Sequence, residues 1–481
     1  MVDVVVDDRL FEVCGVESGT HLGVRAGAGK TFRSYDQHQS FLLPPSLDDW
    51  LPAGHTARFV SDVVDDVLDL GAIYASYTNA TGAPPFDPRM MLKLVVYAYS
   101  SGVTSSREIE RRCHVDVAFR WLSANTAPDY RSVSRFRRRH LPALDDLFAQ
   151  VLVLCANAGL VKLGRVALDG TKLDASASRH TAMSYGRLVK RIPEVEAEVA
   201  KLLAEAEAVD AAEDAEFGAD RRGDELPAEL QTREGRLAKM REAKAAMEAE
   251  AAERAAAEAA EKARQAGKTD DEIEAAADEA AGSATPRPKA QRSFTDPDAR
   301  MMKTNRGFGY AYNAQAAADE FSQVILASYV TQAPTDINQL LVMLERINLA
   351  LAATGLRQPK RTLADAGYCS TANIDQAADH DHDLLVATGR LKHNEQVPTA
   401  PRGRIPNNAT SRQRMARRLR TKQGRADYAR RKAIIEPVFG QMKVKQNAGQ
   451  LRLRGLAGAQ GEFTLHAICH NLRKLANAAT C

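Results

Sequence analysis

The chain has 481 residues, of which 44% are hydrophobic, and its formal net charge is +3. This length predicts roughly three domains of about 150 residues each, and the nearly balanced charge does not by itself indicate a nucleic-acid partner. The six cysteines include no Cys-x-x-Cys pair, which argues against a disulfide framework and against a zinc ribbon.

The sequence also argues against export and against membrane insertion. The stretch MVDVVVDDRLFEV at the start carries acidic residues where a secretory signal would carry positive charge. No apolar run approaches the roughly 18 residues of a membrane span. We therefore expect a protein of the reducing cytoplasm without a membrane partner.

The first part of the chain predicts helices. Residues 1–45 form a weakly patterned N-terminal segment, whereas from 46 to 160 apolar residues recur at spacings of three and four, which predicts an all-helical domain. The motif SSRE, Ser105 to Glu108, predicts a capping box. Ser132 is the expected cap of a basic helix, whose candidate DNA contacts are Arg135, Arg138 and Arg139. We favour a recognition helix in the major groove over the alternative, a basic outer face of a packed domain.

The second part, 161–481, predicts a mixed α/β sheet flanked by helices. Alternating or short apolar runs predict five strands. They lie in GRVALD, ending at Asp169, in two segments of Asn313–Val330, in RTLAD, ending at Asp365, and in DLLVAT. A helix is expected from Asp336 to about Ala353. Strands, a helix and further strands in this order indicate an α/β catalytic domain.

A long insertion, 184–300, interrupts this domain after the first strand. It is rich in Ala, Glu, Lys and Arg and has few aromatic residues. This composition predicts long, solvated helices, resembling a coiled coil, without chemistry of their own.

The segment from Arg402 to Arg454 is strongly basic, with sixteen Lys or Arg against two acids, Asp427 and Glu436. Such a block is either a disordered tail or a surface for a polyanion. Because apolar residues at helical spacing run through it, we favour an ordered surface that faces phosphate.

Three acids stand beside apolar elements: Asp169, Asp365 and Glu436. The Asp-Gly pair at Asp169 is also typical of a hairpin turn, so the residue is either part of a turn or a metal ligand. Carboxylates from separate elements can hold two Mg²⁺ ions on a scissile phosphate. Lys432 and Lys443, four residues before and seven after Glu436, share its helix face and could bind flanking phosphates. We favour phosphodiester cleavage at a metal site.

These motifs resemble a known family. LDGT, LADAGY and IIEPVFGQMK are similar to the three signature blocks of insertion-sequence transposases with an RNase H-like DDE domain. FDPRMMLKLVVYAY, SSREIERRC and SRFRRRH are similar to the N-terminal region of the same transposases. The block around Glu436 departs from the pattern, since Lys432 replaces an expected arginine and Tyr428 lies one residue early.

The resemblance implies a bacterial, cytoplasmic, nucleoid-associated transposase that binds the ends of its element and target DNA. Asp169, Asp365 and Glu436 would bind two Mg²⁺ ions, with Mn²⁺ able to substitute, for cleavage and 3′-hydroxyl strand transfer. It also implies DNA contacts by Tyr428, Arg431, Lys432 and Lys443, and a homodimer or larger assembly when two ends are joined.

Some of these motifs also permit other interpretations. DGT also occurs in haloacid dehalogenase-type phosphatases, but Ala167 stands where their nucleophilic aspartate would be. The alternative that is not an enzyme is a catalytically inert, DNA-binding transposase that represses its own element. His466 and His470, with Cys469 between them, permit a zinc site, although a packed helix is expected. His380 and His382 are expected in a solvated loop.

Overall fold

The computed structural model describes residues 46–78, 84–177, 182–217, 228–389 and 403–479, and within these ranges it describes no side chain at 203 or from 205 to 231. The predicted N-terminal segment, 1–45, lies outside the described residues. No helix in the described part of the chain is long and apolar enough to cross a membrane.

Helices fill the first part of the described chain, as the periodicity predicts. The first described helix, α1 (Leu47–Trp50), begins with a capping box at its N-cap residue Ser46. It belongs to a separate unit that ends at Pro52. The next seven helices are α2 (Thr56–Asp66), α3 (Gly71–Ala75), α4 (Pro88–Ser100), α5 (Ser106–Val115), α6 (Val117–Leu122), α7 (Tyr130–Arg139) and α8 (Leu141–Asn157). Their apolar faces pack together, with α4 almost wholly buried.

Two predicted helix caps are wrong: at α5 the N-terminal residue makes no side-chain cap, and at α7 a neighbouring residue takes the role. Ser105 precedes α5, but its side chain makes no capping hydrogen bond, so the capping box does not form. The basic helix α7 begins at Tyr130 and is capped by Asp129, whose carboxylate accepts from the backbone N–H groups of Arg131 and Ser132. Aspartate is as good a cap as serine, and its position places Ser132 inside the first turn.

The first strand, β1 (Val166–Asp174), leads into the insertion. A short antiparallel pair, β2 (Ala182–Ser184) and β3 (Gln291–Ser293), closes the base of the insertion. Between them, the described residues form α9 (Tyr185–Phe217), α10 (Ala228–Gln265) and α11 (Asp270–Ser283). The described part of the insertion is therefore largely helical.

The insertion nevertheless has a core of its own. Its buried residues are Leu188, Ile192, Val195 and Val199 on α9 and Leu237, Met240, Ala243 and Met247 on α10. The bulky residues recur every three or four positions among the alanines, so the two helices pack as a pair.

The sheet continues with β4 (Arg300–Thr304), β5 (Gly307–Asp319) and β6 (Ile325–Thr331), then β7 (Thr362–Ala364) and β8 (Leu384–Val386). Its order is β4-β5-β1-β7-β8, and β6 also pairs with β5. β5 is antiparallel to β1, β4 and β6, whereas β1, β7 and β8 run parallel. The sheet is therefore mixed, as expected. β4 was not predicted, because the exposed Arg300–Thr304 segment has too few apolar residues to show a strand pattern.

The α-helices in the described residues after β6 are α12 (Leu340–Thr354), α13 (Thr371–Asp379), α14 (Ser411–Arg420), α15 (Lys422–Lys445) and α16 (Leu456–Ala479). α12, α15 and α16 pack against strands of the sheet, and α16 also packs against α4 and α8. The long, nearly buried α16 thus joins the helical region to the sheet.

Candidate functional site

Asp169 lies within β1 and not at its end, which corrects the sequence-based expectation. β5 pairs with β1 along its whole length, from Val166 to Asp174, so the strand continues five residues past Asp169. Gly170 is paired with Gln315 in this ladder. The Asp-Gly pair is therefore not a hairpin turn.

The sheet brings Asp169 beside Asp365. On its other edge β1 pairs in parallel with β7, with Val166 opposite Thr362 and Ala167 opposite Leu363. Two residues further along the same register, Asp169 stands opposite Asp365. Neighbouring strands are about 4.8 Å apart, and the two carboxylates interact electrostatically. Two of the three predicted acids thus lie side by side.

The Asp169 carboxylate is largely buried. Its Oδ2 accepts a hydrogen bond of 2.8 Å from the Arg431 guanidinium, and Oδ1 accepts one of 2.8 Å from the Gly170 N–H. Burial raises the pKa of Asp169, Arg431 opposes the increase, and the negative charge of Asp365 adds to it. A further cation near Asp169 would therefore stabilise the charged form of its carboxylate.

Asp365 follows the last residue of β7 and caps a single 3₁₀ turn, Ala366–Tyr368. Its Oδ1 accepts a hydrogen bond of 2.7 Å from the Gly367 N–H. The turn holds the carboxylate at the point where β7 stops, and leaves Oδ2 without a hydrogen-bond donor among the described residues.

Asp427 fixes α15 against both aspartate-bearing strands. Its buried carboxylate accepts a hydrogen bond of 2.9 Å from Arg165 Nε, immediately before β1, and also binds Arg361, immediately before β7. A buried carboxylate shared by two guanidiniums is a strong, oriented link. The signal in the sequence is a lone aspartate in a basic helix.

Two side chains of α15 reach β1 on the same face. Side chains of a strand alternate between its faces, so Asp169 and Thr171 point the same way. Arg431 binds Asp169, and Lys443 Nζ donates to Thr171 Oγ1 at 2.5 Å. Burial lowers the pKa of Lys443. Helix α15 therefore covers the strand face that carries Asp169.

Glu436, the third predicted ligand, lies on the exposed flank of α15. It follows Arg431 by five residues, about 140° around the helix, but precedes Lys443 by seven, about 20° away. Its carboxylate makes no hydrogen bond or ion pair with a described residue. Among the described residues no three His, Cys, Asp or Glu side chains are grouped to hold a metal ion. The structure unites Asp169 with Asp365 but does not bring Glu436 to them.

The predicted DNA contacts of α15 differ in exposure. Lys432 is exposed, Tyr428 and Lys443 are partly buried, and Arg431 is buried in its ion pair with Asp169. Arg431, and not Lys432, is thus the cation at the first aspartate, and it lies three residues after Tyr428, with which it interacts. That these four residues contact DNA stays a prediction.

The predicted contacts of α7 are exposed. Arg135, Arg138 and Arg139 lie at the surface, and Arg139 stacks on Tyr77 and donates to the Ser76 carbonyl. Arg137, between them, is buried instead, where it binds the Tyr99 hydroxyl and the Thr104 carbonyl. Arg135 and Arg138 also face outward, and neither makes a hydrogen bond or an ion pair with another element among the described residues; Arg131, at the start of the helix, contacts its neighbour Tyr130.

A polar cluster on the opposite face of β1 was not predicted. Asp336 Oδ1 accepts hydrogen bonds from Asn313 Nδ2 at 2.7 Å and Gln315 Nε2 at 2.8 Å, and Lys172 Nζ lies 3.4 Å away. Gln315 also binds the hydroxyl of buried Tyr368. The available signal was two amide residues, two positions apart, inside the apolar strand β5.

The histidines do not form a site in the part of the chain that the structure describes. His466 and His470 are buried in α16, where they are bonded to the Gln446 side chain and the Gln323 carbonyl, as expected of a packed helix. His382 is also buried, within 3.0 Å of Asn348 Oδ1. The prediction of a solvated loop is wrong for His382, because the loop packs against α12, but right for exposed His380.

The adjacent carboxylates of Asp169 and Asp365 fit a hard divalent cation. The pKa of Asp169 is raised by burial and by the charge of Asp365, and Asp365 Oδ2 accepts no hydrogen bond from a described residue. Such ions take oxygen ligands and tolerate partial hydration. Asp169 and Asp365 supply the start of this donor set.

Comparisons with protein families agree with this arrangement. A model described as Transposase domain (DUF772) matches residues 45–139, and a model described as Transposase DDE domain matches residues 283–472. No curated protein and no solved structure matches the chain significantly. The DDE match contains Asp365 and Glu436, and the sheet adds Asp169 from beyond the insertion. A DDE domain implies an RNase H-like fold, and the mixed sheet with flanking helices agrees with it. The chain is therefore an insertion-sequence transposase with a DDE domain.

Proposed function

We propose that this transposase binds the ends of its element and cleaves them in a Mg²⁺-dependent reaction, after which the freed 3′-hydroxyl attacks target DNA. The observation that carries the proposal is the parallel pairing of β1 with β7, whose register sets Asp169 beside Asp365, together with the electrostatic interaction of the two carboxylates. Each carboxylate is held by backbone N–H groups, so the pair is ordered before any substrate arrives.

Asp169 and Asp365 would hold the metal, with Glu436 as the third ligand from the flank of α15. Mg²⁺ bound there would polarise the scissile phosphate and activate the attacking oxygen. Glu436 must approach the aspartates for this role, which is open to it because its carboxylate has no partner among the described residues. Asn or Gln replacements of these acids should preserve shape while removing the ligand charge.

The cations of α15 would orient the DNA. Lys443 and Lys432 lie on the same flank as Glu436, and an ammonium there can bind a phosphate next to the scissile one. Arg431 would neutralise part of the Asp169 charge and fix its orientation. Because phosphoryl transfer depends mainly on positioning and charge neutralisation, these roles suffice without a protein nucleophile.

A supercoiled plasmid that carries the element with its own ends tests the proposal. Wild-type protein is expected to nick it with Mg²⁺, whereas D365N and E436Q reduce nicking to background and still bind the ends. D375N and E345Q, at exposed acids on α13 and α12, are matched controls that should nick normally. End binding by the wild type without any nicking would instead support the inert repressor, and normal nicking by E436Q would remove Glu436 from the site.

A further inference from the structure

Asp336 lies on the face of β1 opposite Asp169, close to the residue that follows Asp169 and to the turn that holds Asp365. A Cβ built on Gly170 would come within 2.7 Å of Asp336 Oδ1, and one built on Gly367 within 3.3 Å of Asp336 Oδ2. The same Gly367 position is 2.9 Å from Asp365 Oδ1. One Asp336 oxygen thus borders the residue after Asp169, and the other borders the turn that holds Asp365.

The two oxygens of Asp336 have different surroundings. Oδ1 takes all three donors of the cluster, from Asn313, Gln315 and Lys172. Oδ2 accepts no hydrogen bond from the described residues. Asn313 and Gln315 are wholly buried on β5, so the carboxylate is clamped on one side by the sheet itself.

Lys172 is the cationic member of this cluster. Its ammonium sits at the end of a flexible four-carbon stem and only 20% of its side chain is exposed. Asp336 is its ion-pair partner at 3.4 Å, but the same ammonium also interacts electrostatically with Asp169 and Asp365. If Asp336 lost its charge, the nearest remaining anions would be the two proposed metal ligands.

We propose that Asp336 is a positioning residue that holds the Lys172 ammonium away from Asp169 and Asp365 and so keeps these carboxylates available to a divalent cation. This inference rests on the proposed function, because it assumes that the two aspartates bind metal. Asp336 acts through Lys172 and need not touch the metal or the DNA.

Binding of Mn²⁺ to the purified full-length protein, followed by the electron paramagnetic resonance signal of free Mn²⁺, tests the inference without any activity measurement. D336N is expected to weaken binding about tenfold, the lower end of the range for partners of metal ligands. In D336N/K172M the competing cation is gone, and binding should return to within about threefold of wild type. K172M alone should bind as well as wild type or better.

The control pair is Asp65 on α2 and Lys93 on α4, an ion pair of similar exposure far along the chain. D65N should leave Mn²⁺ binding unchanged. Circular dichroism and thermal melting check that each variant is folded; if D336N does not fold, K172M decides, and a tenfold loss in K172M overturns the inference.

The outcomes separate the inference from the proposed function. If wild-type binding does not depend on Asp365, as shown by D365N, both are overturned. If it depends on Asp365 but D336N binds normally, only the role of Asp336 is wrong. If D336N binds Mn²⁺ weakly and D336N/K172M binds it equally weakly, Asp336 acts on the site in some way other than through Lys172, and the inference is likewise overturned.

Discussion

Gly170 shows how a single residue sets the spacing of the site. It has no unusual backbone conformation, but a Cβ there would lie 2.5 Å from Gln315 Nε2 and 2.7 Å from Asp336 Oδ1. Contacts this short force neighbouring atoms to move. The absence of a side chain lets the Asp336 cluster approach β1 directly beside Asp169.

We therefore expect G170A to destabilise the protein by about 1–3 kcal/mol through overpacking, measured by urea unfolding. G440A in α15, where a Cβ would meet nothing within 4 Å, is the matched control. It should be neutral or stabilise by up to about 1 kcal/mol, because alanine favours a helix interior over glycine. Equal stabilities of G170A and the wild type would show that the cluster can relax at no cost.

For the proposed catalytic residues, the sequence supplied the identities and the structure supplied the partners. LDGT and LADAGY pointed to Asp169 and Asp365, and the register of β1 with β7 places them together. The sequence could not show that Arg431 faces Asp169, because which side of α15 meets the sheet depends on packing. The contacts of Asp336 also depend on packing, and from the sequence alone an aspartate before a helix is expected to be an ordinary N-cap.

At the scale of elements, α7 divides its arginines between two roles. Arg137 points inward to Tyr99, while Arg135 and Arg138 point outward. A basic helix with this outward face suits contact with phosphates or base edges in the major groove. The hypothesis that α7 recognises the element ends depends on these two residues.

R135A/R138A is expected to weaken binding to an end duplex about tenfold or more and to lower the salt dependence of binding, because each lost phosphate contact reduces its slope by about one. Fluorescence anisotropy at several salt concentrations measures both. R111A/R264A removes the same charge from arginines that are paired with Glu108 and Glu261, and should bind nearly as the wild type does. Unchanged binding in R135A/R138A would assign α7 to a structural role.

The insertion illustrates what composition alone misses at this scale. Its Ala- and Glu-rich helices and their resemblance to a coiled coil were predicted, but the residues that pair α9 with α10, such as Leu188 and Met240, were not. A few bulky residues at helical spacing are enough to join two long helices, although they hardly change the average composition.

At the scale of the whole molecule, α16 is the element that the helical region and the sheet share. Its histidines are buried, and burial lowers the pKa of His466 to about 3 and of His470 to about 4. In the unfolded chain both pKa values return to about 6.5, so the unfolded state binds more protons below that value. Their contribution to stability is therefore present above pH 6.5 and is lost as the pH falls towards 4.

We expect the free energy of unfolding to fall between pH 7.5 and pH 5 by about 2 kcal/mol for each of these histidines, measured by urea unfolding at both values. H466Q removes one titrating group and should reduce this pH dependence by about half of the two-histidine effect, whatever its effect on stability at pH 7.5. A pH dependence as steep in H466Q as in the wild type would contradict the assignment to His466.

The sequence by itself determined the helical first part, five of the six strands of the sheet, the helical insertion and the family, because each depends on local periodicity or on contiguous motifs. The tertiary structure decided which residues meet: Asp169 with Asp365 and Arg431, Lys443 with Thr171, and Asp336 with Lys172. These contacts join positions up to 272 residues apart, and they depend on strand register and helix packing, which no local pattern specifies. For the same reason, the motif identified Glu436, but only the tertiary structure showed that its side chain lies on the exposed flank of α15.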